Sequence, residues 1–242
     1  LGASLKGRHL GTFGDAGILS FGNEKVCSGL GGGVFVSQRL EFFDRTGEFE
    51  LAAADRSSAL RSLSSTLVWH CWRRWSVPLL EALCPSPGTD PESPPPVYRK
   101  ESMSNLNAAV ASTLIKSLQD NLAARRARVR AYQELLGNER LILVPHREGS
   151  ACLTQVIRVL PKVNGHDPAS DLIASLRGAR FEVKGSYIPI HLLTPYQQLA
   201  VRSFPHAEKI WTNLIELPCE PDVSLEHVER IASMVKQTIR YS

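Results

Sequence analysis

A proline-rich stretch near the middle of the sequence limits what the chain can fold into. Residues 84–97 read CPSPGTDPESPPPV and contain six of the fifteen prolines. Proline has no amide proton to donate and disfavours a helical conformation in the residue before it, so neither a helix nor a central strand can run through this stretch. We therefore expect three parts: residues 1–83, an extended linker over 84–103, and residues 104–242.

The composition is that of a globular protein. Hydrophobic residues make up 43% of the 242 and charged residues 21%, which is enough apolar material for a core. The net charge of +4 is too small to indicate a nucleic-acid partner, and no apolar run approaches the roughly 20 residues of a membrane span. The five cysteines form no CxxC pair, which argues against a metal site or a disulfide framework and favours a cytoplasmic location.

The first residues have two features that bear on completeness. The sequence opens on Leu1 rather than on methionine, and residues 1–6 do not resemble a signal peptide. We therefore expect the chain to be an N-terminally truncated part of a longer protein.

The part before the linker has two strand patterns and one helix pattern. Residues 16–21 (AGILSF) and 33–37 (GVFVS) are short apolar runs bounded by glycines, which predicts strands buried on both faces of a sheet. Residues 60–83 predict a helix as far as Pro78. Its tryptophans recur every three residues, which favours core or subunit packing over a membrane-interface or partner surface: Trp69, Trp72 and Trp75.

The part after the linker begins with the longest helical pattern in the sequence. Leucine or valine recurs every four residues from Leu106 to Leu122, which predicts one helix over residues 104–136 that Gly137 ends. The pattern then alternates, which is typical of a small α+β domain. It predicts strands over 141–144, 153–160 and 181–187, and helices over 169–176, 197–201 and 223–239.

The candidate chemistry lies between Gly11 and Gly33. Ser20 ends the first predicted strand, and Lys25 follows five residues later in a glycine-rich loop that leads to the second strand. Close packing of that loop would remove Lys25 from water, and desolvation favours the neutral, nucleophilic amine. The Ser20 hydroxyl could donate to a phosphate. The pattern alone also allows a plain surface lysine beside a tight turn.

This region resembles the lysine region of the DegT/StrS-type sugar aminotransferases, which are pyridoxal-phosphate (PLP) enzymes of fold type I. The family shows GxxGD, then SFxxxK, then a loop ending in two glycines before an apolar strand. Three further segments resemble the family in the same order: MSNLNAA at 103–109, YIPIH at 187–191 and IELP at 215–218. The first pattern falls on Gly11, Gly14, Asp15, Ser20, Phe21, Lys25, Gly32 and Gly33.

The resemblance implies an α/β fold class, with the C-terminal part of a fold-type I large domain followed by a small α+β domain. It implies that Lys25 carries PLP and serves as general base and acid, and that Ser20 binds the PLP phosphate. Asp15 would be structural, and His191 could be either structural or a substrate contact. The implied reaction moves an amino group from glutamate or glutamine to a keto group of a nucleotide-linked sugar, in a homodimer that serves polysaccharide or glycosylated-metabolite biosynthesis.

The chain departs from the family pattern at two places. Leu30 and Gly31 stand where the family usually has Gly-Glu, and Lys100 and Ser102 stand where it tends to have Asn-x-Arg. The family's other cofactor-binding residues cannot be assigned in this sequence. Two alternatives follow: a relative that uses PLP for sugar dehydration, in which histidine would replace Lys25, and a truncated, non-catalytic copy that acts in packing or partner binding.

Overall fold

The computed structural model describes residues 1–22, 24–46, 60, 63–64, 101–137, 141–160, 168–198 and 202–241. These residues form two compact units. The first contains the described residues before position 65, residues 101–122 and Arg147–Ala151; the second contains Ala123–His146 and the described residues from Cys152 onwards. The tryptophan-bearing segment and the linker as far as Lys100 lie outside the described residues, and the three-part domain division stays a prediction.

The first unit contains two small antiparallel sheets. Strands β1 (Ser4–Leu5) and β2 (Arg8–His9) form one, and strands β3 (Ala16–Ser20) and β4 (Gly33–Ser37) form the other, followed by helix α1 (Glu41–Thr46). The two predicted strands are therefore present, but their predicted burial is wrong, since Ile18 in the middle of β3 is 79% exposed. Among the described residues this sheet has only two strands, and Ala16, Ile18 and Ser20, which alternate along β3, are exposed.

The predicted long helix is two helices. Helix α2 covers Asn105–Lys116 and helix α3 covers Leu118–Leu135, so the prediction of one continuous helix is wrong. Ser117 takes φ −99° and ψ 15°, and its amide and its hydroxyl both donate to the carbonyl of Leu114, at 3.2 Å each. A serine that bonds to a nearby carbonyl in this way competes with the helical pattern and ends α2.

A four-stranded antiparallel sheet forms the centre of the second unit. Its strands are β5 (Leu141–Leu143), β6 (Thr154–Val159), β7 (Lys184–Gly185) and β8 (Leu214–Pro218), in the order β5-β6-β8-β7. Buried and partly exposed residues alternate along β6, as expected for a strand with one face in the core. Ile157 of β6 pairs with Ile215 of β8, and both are fully buried.

Helices cover the core face of this sheet. Helices α4 (Pro168–Gly178) and α7 (Leu225–Tyr241) contribute apolar residues at helical spacing, as does α3. Each such side chain, when fully buried, stabilises the fold by about 1.5–3 kcal/mol. The shorter helices are α5 (Thr194–Gln197) and α6 (Pro205–Ile210). Fully buried apolar side chains on α3, α4 and α7 include Tyr132, Leu172, Leu176, Val228, Ile231 and Val235.

Two predicted elements of this unit differ from the observed ones. The strand predicted over 181–187 is only β7, because Arg180 has a left-handed φ of 65° and the Phe181 amide donates to the Leu176 carbonyl, at 3.0 Å, to close α4. Most of the helix predicted over 197–201 lies outside the described residues; helix α5 overlaps it only at Gln197 and begins at Thr194, with proline in its first turn. No helix in the described part of the chain is long and apolar enough to cross a membrane.

Candidate active site

Phe21 anchors the loop that carries Lys25. Its amide donates to the carbonyl of Gly32 at 3.0 Å, and its carbonyl accepts from the amides of Gly29 at 2.8 Å and Gly31 at 3.1 Å. Its ring is only 2% exposed and packs in a small cluster with Cys27. One residue therefore fixes both the start and the end of the loop over residues 21–32.

Glycines allow this loop to pack closely against the segment at 103–111. A Cβ built on Gly29 would lie 3.0 Å from the Cβ of Ala111, and one built on Gly32 would lie 3.0 Å from the Cγ of Met103. Gly32 also has a φ of +89°, which side chains rarely allow. The first two segments on which the family resemblance depends are thus packed together in the fold.

Ser20 and Lys25 flank Gly22 in a tight turn. The Lys25 amide donates to the Gly22 carbonyl at 3.0 Å, and the Gly22 amide donates to the Ser20 Oγ at 3.3 Å. A Cβ built on Gly22 would lie 3.6 Å from the Ser20 Oγ and 3.9 Å from the Lys25 Cγ, so both side chains lie beside the same residue. Ser20 and Lys25 are exposed, so the expected desolvation of Lys25 is wrong for the described residues, although its neighbour Val26 is buried.

These two side chains have the chemistry to contact the aldehyde and the phosphate of PLP. An exposed primary amine can attack an aldehyde, and a serine hydroxyl can donate to a phosphate. The Ser20 Oγ accepts from the Gly22 amide, and this bond leaves the hydroxyl proton available to a ligand. We therefore retain, as proposals, the roles that the resemblance implies: Lys25 carries PLP and Ser20 binds its phosphate.

Two asparagines hold the loop, and sequence reasoning missed both. The Asn121 Nδ2 donates to the Val26 carbonyl at 3.1 Å, and the Asn107 Nδ2 donates to the Leu30 carbonyl at 3.3 Å. The one available signal was Asn107 itself, a polar residue on the same face of α2 as Ala111. Asn107 and Ala111 are the two buried residues of that helix. The regular leucine spacing pointed to another face, and Leu106 is 37% exposed.

Leu30 has an unusual backbone conformation for its residue type. Its φ is 61°, and Gly31 and Gly32 that follow have φ of 120° and 89°. Leu30 stands at the position where the family usually has glycine, the residue that adopts this conformation most readily. The departure from the family pattern therefore places a strained residue in the loop.

Asp15 has structural contacts. Its carboxylate pairs with the Arg39 guanidinium at 2.7 Å, and the Ser37 hydroxyl donates to its backbone carbonyl at 2.7 Å. A shallow cavity of about 100 Å³ lies between residues 11–15 and 36–38, and neither Ser20 nor Lys25 lines it. These contacts connect β3 to the end of β4 and favour the structural role implied for Asp15.

His191 belongs to a cluster in the second unit. Its Nε2 lies 3.0 Å from the Oε1 of Glu208, which also accepts from the Phe204 amide at 2.7 Å, and its ring centre lies 4.8 Å from that of Phe204. The amide of Phe204 and then the His191 ring lower the pKa of the Glu208 carboxyl. These contacts favour the structural alternative for His191.

Comparison with known protein families matches residues 1–236 to the DegT/DnrJ/EryC1/StrS aminotransferase family. The chain belongs to this family. No curated protein matches the sequence.

Solved structures share the fold at low sequence identity. Spr1654 from Streptococcus pneumoniae in its PMP form is 20% identical with a TM-score of 0.72, and the match covers 100% of this chain and 55% of that one. PseC from Helicobacter pylori, an aminotransferase involved in the biosynthesis of pseudoaminic acid, is 18% identical with a TM-score of 0.71, covering 100% and 58%. DesI, solved in the presence of its TDP-sugar product, is 18% identical with a TM-score of 0.65, covering 99% and 53%.

The matched fold confirms the predicted fold class. This DegT/DnrJ/EryC1/StrS chain has the α/β fold of part of a fold-type I aminotransferase. It spans a little over half the length of the solved structures that it matches.

Proposed function

We propose that the protein is a PLP-dependent aminotransferase that moves an amino group from glutamate or glutamine to a keto group of a nucleotide-linked sugar. The packing of the glycine loop against Met103 and Ala111 carries this proposal, because it brings together the first two segments that resemble the family. Membership in an aminotransferase family supports the reaction class.

The chain supplies an amine and a hydroxyl for this chemistry. PLP, when bound, acts as an electron sink that makes a carbon–hydrogen bond next to the amino group acidic. The Nζ of Lys25 would bind the cofactor and, once released, would accept and return that proton. The Ser20 hydroxyl would orient the cofactor by donating to its phosphate, beside Gly22.

The sugar substrate is supported by likeness alone. DesI was solved with a TDP-sugar product, and PseC takes part in the biosynthesis of pseudoaminic acid; both share this fold. We extend to this protein a nucleotide-sugar substrate, an amino-acid donor, a homodimer, a cytoplasmic location and a role in polysaccharide or glycosylated-metabolite biosynthesis. Lysine at position 25 supports transamination over sugar dehydration, for which the resemblance implies histidine.

Substitution of Lys25 tests the proposal directly. In the full-length protein mixed with PLP, we expect a visible absorbance band that is lost in Lys25→Ala, because the nucleophilic amine is gone. Borohydride reduction followed by peptide mass spectrometry should place the cofactor on Lys25. Lys116→Ala removes another exposed lysine of the first unit and should leave the band unchanged.

Two outcomes would decide against the proposal. An unchanged band in Lys25→Ala would show that the lysine does not carry the cofactor. A wild-type protein that takes up no PLP at all would favour the non-catalytic copy of the fold.

A further inference from the structure

We infer that Asn107 and Asn121 are positioning residues for Lys25, which they hold through the backbone of its loop. The inference rests on the proposed function of Lys25 and names the side chains that orient it. Both asparagines lie in the same unit as Lys25, one on α2 and one on the first turn of α3.

Asn121 acts on the peptide bond next to the lysine. Its Nδ2 donates at 3.1 Å to the carbonyl of Val26, the residue that directly follows Lys25. Val26 is itself 8% exposed, so its carbonyl has little access to water as an alternative partner. The backbone therefore changes within one residue from the exposed Lys25 to a buried and hydrogen-bonded Val26.

Asn107 acts on the other side of the loop. Its Nδ2 donates at 3.3 Å to the carbonyl of Leu30, and its Oδ1 accepts from the Ser104 hydroxyl at 2.7 Å. Its own amide donates to the Ser104 Oγ at 3.2 Å, and the residue is 7% exposed. Ser104 thus fixes the orientation of the Asn107 side chain. The side-chain amide of Asn107 therefore donates to the carbonyl of a residue whose φ is left-handed, Leu30.

The two hydrogen bonds lie on either side of the segment at 27–29. Together with the hydrogen bonds of Phe21 to Gly29 and Gly31, they leave this part of the loop few alternative conformations. A fixed backbone restricts the directions in which the Lys25 amine can extend, which raises the fraction of time it spends in a reactive position. Asparagine suits this role because its amide donates without adding a charge, whereas an aspartate at either position would present only acceptors to a carbonyl.

Removal of each donor without a change of charge tests the inference in the full-length protein. We expect Asn121→Ala and Asn107→Ala to slow PLP capture at Lys25 by about 10-fold, followed by absorbance and by borohydride trapping, since a misplaced reactive group can cost up to about two orders of magnitude. We also expect the pH midpoint of the cofactor absorbance to shift. Asn213→Ala is the matched control, because its Nδ2 donates to the Lys209 carbonyl at 3.2 Å in the second unit.

Capture rates and absorbance midpoints equal to those of the wild type, in variants with an unchanged thermal midpoint, would overturn the inference. A purely structural role would lower the thermal midpoint and leave the pH midpoint of the absorbance in place, which would also overturn it.

Amide hydrogen exchange of the unsubstituted protein keeps the inference testable even if both variants fail to fold. We expect the amides of Gly29 and Gly31 to be protected as strongly as those in the middle of α2. Exchange at the rate of an open loop would overturn the inference. If the wild type takes up no PLP, the proposed function fails, whereas this exchange measurement still reports whether the loop segment between the two asparagine contacts is held in one conformation.

Discussion

At the scale of single residues, Leu30 has a backbone conformation that its side chain disfavours. A left-handed φ costs a residue other than glycine about 1–2 kcal/mol, and the cost is greater for β-branched residues. The Asn107 amide and the neighbouring glycines hold Leu30 in this conformation with a φ of 61°. The family resemblance identified position 30 as a departure from the usual sequence. Only the left-handed φ of Leu30 connects this departure to the stability of the fold.

Substitutions at Leu30 should therefore separate backbone strain from side-chain packing. We expect Leu30→Gly to keep the free energy of unfolding within about 1 kcal/mol of the wild type, because relief of strain offsets the lost contacts of the side chain. Leu30→Val should lower it by about 1–3 kcal/mol, because valine tolerates this φ worst. Urea unfolding measures both, and a valine variant more stable than the glycine variant would contradict the strain.

Glu208 should make stability depend on pH. Its pKa is lower in the folded state, so its hydrogen bonds to the Phe204 amide and to His191 stabilise the fold above the unfolded-state pKa and are lost as the pH falls through the folded-state pKa. We expect Glu208→Gln to lower the thermal midpoint near neutral pH, with a difference that shrinks as the pH falls through the lowered pKa of the Glu208 carboxyl. Thermal scans across this range check it.

Glu229→Gln provides the control for this pH series, since Glu229 is exposed on α7 and lies outside the His191 cluster. Its difference from the wild type should stay small at every pH. A difference for Glu208→Gln that grows on acidification would contradict the assigned direction of the pKa shift.

At the scale of elements, periodicity predicted where helices and strands lie better than it predicted which faces are buried. The leucines of α2 recur at helical spacing, yet its buried residues are Asn107 and Ala111. The glycine loop explains the difference, because a surface without side chains packs best against small residues and needs donors for its carbonyls. A leucine facing Gly29 would not fit where the Cβ of Ala111 already lies 3.0 Å from a Cβ built there.

A methyl group at Gly29 should disturb this packing. We expect Gly29→Ala to lower the free energy of unfolding by about 1–3 kcal/mol, because its Cβ would lie 3.0 Å from those of both Phe21 and Ala111. Gly178→Ala is the matched control, since a Cβ at the end of α4 meets nothing within 4 Å and the change should be neutral or slightly stabilising. Equal unfolding free energies for the two variants in urea would contradict close packing of the loop.

At the scale of the whole molecule, the chain belongs to its family along almost all of its length while it spans a little over half of each solved relative. In the first unit, the apolar side chains of Ile18 and Leu40 are each 79% exposed.

We expect the full-length protein to form a dimer with two-fold symmetry, as the family resemblance implies. Sedimentation velocity at several concentrations, with and without PLP, measures the oligomeric state, and the dimer should persist at the concentrations used for activity assays. A fully active monomer under those conditions would contradict the expected assembly.

The sequence by itself determined the family, the fold class, most strands and helices, and the two candidate residues Ser20 and Lys25, because these depend on local spacing and on motif order. Only the tertiary structure decided the exposure of Ile18 and Lys25, and the contacts of Asn107 with Leu30. Burial and long-range hydrogen bonds depend on which segments meet in space, and residues 77 positions apart leave no local pattern to show that they do.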